Sequence, residues 1–112
     1  MFTVYGIPNC NTVKKALTHL EQNGIDFEFI SFKKVLPNES QIKEWKKAFG
    51  DWPVNKKGPT YRKIKEAFES ANALQKTHLL IDNTSAIKRP IVMKDDKVLA
   101  FGYDEDTYNN IK

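Results

Sequence analysis

The chain has 112 residues, 40% hydrophobic and 29% charged, with a formal net charge of +4 and a single cysteine. That length holds one core rather than two, and the apolar content fits a soluble globular protein. One cysteine excludes an intrachain disulfide, and so modest a charge suits small anionic ligands as well as it suits nucleic acid.

The first apolar run, Phe2 to Tyr5, reads as a strand over 2–6. No basic leader and no long apolar segment is visible. The expectation is therefore a chain without a secretory signal or membrane span, in a reducing cytoplasmic compartment. The turn Gly6-Ile7-Pro8-Asn9 leads to Cys10. Beyond it Val13, Ala16, Leu17 and Leu20 recur at i, i+3, i+4 and i+7, which predicts a helix over 11–23 closed by Asn23-Gly24. Ile25, Phe27 and Phe29 alternate with Asp26 and Glu28, a strand over 25–30. Strand, helix and strand so close together make a βαβ unit with parallel strands.

Pro37-Asn38-Glu39 opens a helical stretch with Ile42, Trp45 and Phe49 on one face, ending at Gly50. Thr60 reads as the N-cap of a helix with Ile64, Ala67 and Phe68 inward, and Thr77 as the cap of a short helix through Leu79 and Leu80. Pro90 to Met93 and Val98 to Phe101, around Asp95-Asp96, form a β-hairpin, and Asp104 starts a last helix. The predicted class is α/β: βαβ, a helical insert over approximately 38–86, then ββα, in a single domain. This is the thioredoxin plan interrupted by helices.

Cys10 falls where a strand ends and a helix begins. A helix N-terminus carries roughly half a positive charge and unpaired N–H groups, which favour the nucleophilic thiolate. Asn11 and Thr12 offer local hydrogen bonds, and Lys14 adds a cation one turn on. A lone cysteine is equally a small buried hydrophobe, and position alone leaves both readings open. Val13 takes the place a second cysteine would have in C-x-x-C. His19 and His78 lack metal-spaced partners and are expected at the surface or at caps, so no metal is expected. Trp45 and Trp52 are expected to pack within the insert. The lysine pairs at 14/15, 33/34, 46/47 and 56/57 are scattered, which suits a solvated surface better than a nucleic-acid stripe.

Three stretches carry a resemblance: Tyr5 to Ala16 around Cys10, Asn55 to Lys63, and Ile87 to Val92 around Arg89-Pro90. Together they resemble the arsenate reductase/Spx family, with its short YffB-like branch closest. The resemblance implies a thioredoxin-like fold with a helical insert, Cys10 as the nucleophile, Arg89 as the anion-binding arginine and Pro90 as a cis proline facing the thiol. Lys57 in the insert loop, Lys14, Asn11 and Thr12 are the further substrate- or anion-binding candidates. The resemblance also implies glutathione as co-substrate, with no bound cofactor, and glutathione or glutaredoxin to complete the cycle. Glutathione-coupled arsenate reductases of this family use three arginines. Here only Arg89 has a counterpart: the middle position falls on Asn55, with Lys57 and Arg62 nearby, and the last falls near Gly102. Members of the Spx branch bind RNA polymerase and carry a Cys-x-x-Cys switch, which Val13 removes. The expected function is a glutathione-dependent thiol/disulfide oxidoreductase using one cysteine, acting as a monomer without nucleic acid. The alternative is an Spx-like regulator that docks on RNA polymerase without catalysis.

Overall fold

The structure is a computed structural model describing residues 2–111. In chain order its elements are β1 (Phe2–Gly6), α1 (Asn11–Gln22), β2 (Phe27–Ser31), α2 (Glu39–Phe49), α3 (Pro59–Ser70), α4 (Ala73–Asp82), a 3₁₀ turn (Thr84–Ala86), β3 (Ile91–Lys94), β4 (Lys97–Phe101) and α5 (Glu105–Asn109). They fall into two compact units, Met1–Val35 with Arg89–Lys112, and Leu36–Lys88.

The first unit is a four-stranded sheet in the order β2-β1-β3-β4. β1 runs parallel to β2 and antiparallel to β3, and β3 and β4 form the hairpin. With α1 crossing from β1 to β2 and α5 closing the chain, this is the thioredoxin-like arrangement, as expected. Val4, Val92 and Ala100 stand side by side across three strands. Ala16 and Leu20 of α1 and Tyr108 of α5 join that row in one buried cluster. β2 starts later than the alternation predicts, at Phe27, because Ile25 still belongs to the end of α1. The Gly24 N–H donates to the Glu21 carbonyl and the Ile25 N–H to the Leu20 carbonyl, both at 3.0 Å, with Gly24 at φ 70°. This pair of bonds is the Schellman closure, and Ile25 packs against the same cluster that buries Leu20.

Gly102 ties the tail of this unit together. At φ 75° it sits in the left-handed region, where a side chain is strained. Its N–H donates to the Pro90 carbonyl at 2.8 Å. Its own carbonyl accepts the hydroxyl proton of Tyr108 at 2.8 Å. Tyr108 is fully buried, and burial, with Tyr103 beside it, pushes its pKa well above the ordinary phenol value.

The second unit holds α2, α3 and α4 around buried Ile42, Trp45, Tyr61, Phe68 and Leu80. Here two caps differ from the sequence reading. α3 begins at Pro59 with Gly58 as its cap, so Thr60 is the second helical residue; proline at the first position presets the helical φ and loses no bond. α4 begins at Ala73, a full turn before the expected start, with Asn72 and Gln75 satisfying each other's backbone in a capping box. Thr77, expected as the cap, lies inside α4 and donates its hydroxyl to the Ala73 carbonyl at 3.0 Å. α2 carries the same kind of capping box, between Asn38 and Gln41, and ends at Gly50 with φ 86°.

Two apolar positions also depart from expectation. Phe49, the last residue of α2, is 39% exposed, with the Lys88 ammonium 5.7 Å from its ring centroid. Ala67 is exposed, because the inward face of α3 runs through Tyr61, Ile64 and Phe68. Within this unit the segment between α2 and α3 pairs with the segment after the 3₁₀ turn. Val54 bridges Ile87, the Asn55 N–H donates to the Ala86 carbonyl, and the Lys88 N–H donates to the Pro53 carbonyl, both at 2.8 Å. Among the described residues no helix is long and apolar enough to cross a membrane.

Candidate active site

Cys10 is the N-cap of α1, with an extended backbone at φ −114° and ψ 124°. Its carbonyl accepts the Lys14 N–H at 3.0 Å, the first bond of the helix. Gly6 lets this turn come close to the end of β1: a Cβ there would lie 3.0 Å from a Val13 methyl. The sulfur is partly buried. No side-chain hydrogen bond closes the cap, so the N–H groups of the first turn act on the sulfur mainly as oriented dipoles.

Burial works against the charged form and by itself would raise the thiol pKa. The Val13 N–H, the Arg89 charge, the Thr12 N–H and the Arg89 side chain's hydrogen-bonding capacity outweigh it together, and the pKa lies below that of an ordinary thiol. Arg89 is therefore the cation that acts on Cys10. It immediately precedes buried Pro90, and the Arg89–Pro90 peptide bond is cis. The result is a thiolate-favouring sulfur, partly open to solvent, with a guanidinium beside it. Such a pair can attack an electrophilic sulfur or hold an anion next to the nucleophile.

A model of the ArsC family matches residues 5–111. The chain belongs to the ArsC family. An uncharacterized protein of Haemophilus influenzae is 38% identical over 112 residues, covering 96% of each chain. The global transcriptional regulator Spx of Staphylococcus epidermidis is 27% identical over 109 residues, covering 95% of this chain and 82% of its own. The solved structure of a YFFB protein superimposes with a TM-score of 0.87 at 28% identity, covering 97% of this chain and 96% of that one.

In this ArsC-family chain the other candidate residues are placed as follows. Asn11 and Thr12 are exposed, and Thr12 acts on the sulfur through its backbone N–H. Lys14 is exposed and lines a shallow groove with Lys15, Thr18, His19, Gln22 and Tyr103. The cation that lowers the thiol pKa is thus Arg89, where the sequence reading also gave that part to Lys14. Lys57 is exposed in the turn that precedes α3, in the second unit, and Asn55 in the same turn is partly buried. Gly102, near which the resemblance places the third arginine, uses both its backbone groups to hold Pro90 and Tyr108.

Two features were not visible in the sequence. The Val13 N–H is the largest single contribution that lowers the thiol pKa, although its side chain marked only a missing cysteine. The position of Val13, three residues into the helix after an N-cap, is the signal that could have found it. His19 is the second. Its Nε2 meets the Asn109 Oδ1 and its Nδ1 the Tyr103 hydroxyl, both at 2.9 Å. An amide oxygen only accepts, so Nε2 carries the proton and the Tyr103 hydroxyl donates to Nδ1. His19 thereby joins α1 to the chain on either side of Tyr108. Among the described residues no group of three or more His, Cys, Asp or Glu could hold a metal ion.

Proposed function

We propose that the chain is a glutathione-dependent thiol/disulfide oxidoreductase that works through Cys10 alone. The observation that carries this reading is the sulfur at the α1 N-terminus with Arg89 beside it and its pKa held low. The Cys10 thiolate attacks the glutathione sulfur of a mixed disulfide R–S–S–G. The disulfide S–S bond breaks, R–S⁻ leaves and takes a proton, and Cys10 is glutathionylated. A second glutathione, as thiolate, attacks that disulfide, releasing Cys10 as thiolate and glutathione disulfide. Atoms and electrons balance as R–S–S–G plus one glutathione giving R–SH plus glutathione disulfide. No second cysteine is required, which agrees with a chain that has one. Arg89 holds a carboxylate of glutathione bidentately, as only a guanidinium can. The setting is cytoplasmic, and glutaredoxin serves where free glutathione does not.

The test is turnover of a glutathione mixed disulfide with the oxidised product followed by a coupled reductase. Turnover is expected in the native chain and absent in Cys10→Ser. Native protein with no turnover, at a thiol that alkylates like free cysteine, would overturn the reading. The likeness to Spx favours a second reading, a regulator that docks on RNA polymerase without catalysis. Retention of purified RNA polymerase by an immobilised chain lacking turnover would support it.

A further inference from the structure

The second unit carries a groove between α2 and α4 that plays no part in the thiol chemistry. Its volume is about 260 Å³, and Trp52, Ala73 and Leu74 give it an apolar lining beside Thr77. Leu74 is 59% exposed on this groove and so open to a ligand. Its rim is basic, with Lys43 and Lys46 from α2. The Lys46 ammonium stands 4.4 Å from the centroid of the Trp52 ring, and the Lys76 ammonium stands 5.9 Å from it. Both lysines are only partly exposed, whereas lysines normally extend into water. One carboxylate, Glu39, also lines the groove, where it meets His78, and Glu44 stands further along α2. Lys47 lies beside Glu44 and leaves the face positive.

We propose that this groove docks an acidic peptide segment. One apolar side chain of the segment seats against Leu74, Ala73 and Trp52, and carboxylates on either side of it meet Lys43, Lys46 and Lys76. The charge is complementary, and the cations are held in place against the aromatic ring before the ligand arrives. Little side-chain entropy is then lost on binding. A nucleic acid would also meet lysines, but it would need an aromatic face for a base to stack on. The Lys46 ammonium covers one face of Trp52, and the Trp52 ring is in edge contact with Phe68. An aliphatic side chain beside Leu74 needs no such face.

The probe is the acetylated, amidated peptide Glu-Glu-Leu-Glu-Glu, titrated into the full chain at low salt while the Trp52 indole and Leu74 methyl signals are followed by NMR. Saturable shifts of both are expected. Replacing the peptide's leucine by serine should weaken binding about tenfold or more, the equivalent of one buried leucine. Lys46→Glu combined with Lys76→Glu should also weaken it about tenfold or more by reversing two contacts. Leu74→Asp, at an exposed position, should do so without changing the melting temperature. Four outcomes overturn the proposal: no shift up to about 1 mM peptide, equal binding of the serine peptide, full binding by either variant, or displacement by single-stranded RNA at equal concentration.

Discussion

Replacing Arg89 by glutamine removes the charge beside Cys10 and keeps a side chain of similar reach. Hydrogen bonds to charged groups contribute about 1.5–3 kcal/mol. Cys10 is only partly buried, so the low end applies, and that corresponds to about a tenfold loss of thiolate at pH values below the thiol midpoint. Part of this is returned, because a less acidic thiol is a better nucleophile once ionised. With a Brønsted slope of about 0.4–0.5, the gain is about threefold. Iodoacetamide is uncharged and needs no anion site, so it reads only the thiolate. Alkylation of Arg89→Gln should be about threefold slower than native at low pH. The two curves should cross as pH rises, and the variant should be about threefold faster once both thiols are ionised. Arg89→Lys should fall between. Iodoacetate, an anion, should show a larger deficit at low pH than iodoacetamide, since Arg89 also draws it in. Thermal melts establish that each variant is folded. Superimposable native and variant curves, or a loss of equal size at every pH, would refute the assignment of Arg89 as the cation that sets the thiolate.

Four further outcomes are expected. Tyr108→Phe keeps the ring but leaves the Gly102 carbonyl without its donor, and should cost about 1–3 kcal/mol in urea unfolding; unchanged stability would contradict the bond. Gly6→Ala places a methyl 3.0 Å from fully buried Val13. It should destabilise by about 1–3 kcal/mol and slow Cys10 alkylation, as an overpacked contact under the reactive turn would. Folding holds the Cys10 pKa below its unfolded value. The native chain should therefore gain stability over Cys10→Ala as pH rises through the folded midpoint, levelling off above the ordinary thiol value of about 8.5; a gain on acidification would reverse the sign. Arsenate turnover coupled to glutathione and glutaredoxin should be weak, since the resemblance pairs Arg89 alone with the three arginines it implies for arsenate reduction; robust turnover would show that another cation completes the site.

The elements most legible in the sequence were those with a local signal. β1 rests on its apolar run, α1 on periodicity and on the Asn23-Gly24 stop, and the hairpin on its two-residue turn at Asp95-Asp96. Cys10 was legible for the same reason, because a helix N-terminus is a local property. The caps of α3 and α4 were misplaced because threonine is a fair cap wherever it occurs. The actual choice was made by Pro59 and by the reciprocal Asn72–Gln75 pair. Arg89 lies 79 residues from Cys10 in sequence, and nothing local joins them; the resemblance to a family brought Arg89 forward. His19 pairs with residues 84 and 90 positions away. No periodicity carries such a pairing, which exists only once the sheet has formed.

The bridge between Val54 and Ile87 has a consequence for how such a chain can vary. The two ends of the segment that carries α3 and α4 are stitched to one another before the chain returns to Arg89. Residues added to or removed from the loop between α3 and α4 shift those two helices against each other, while the stitched ends stay a fixed distance apart. The helical segment can therefore drift in length and sequence as a cassette. A chain in which residues 55–86 were exchanged for a relative's segment, with the two pairing bonds retained, should keep its alkylation profile at Cys10 and change only what the exchanged surface contacts.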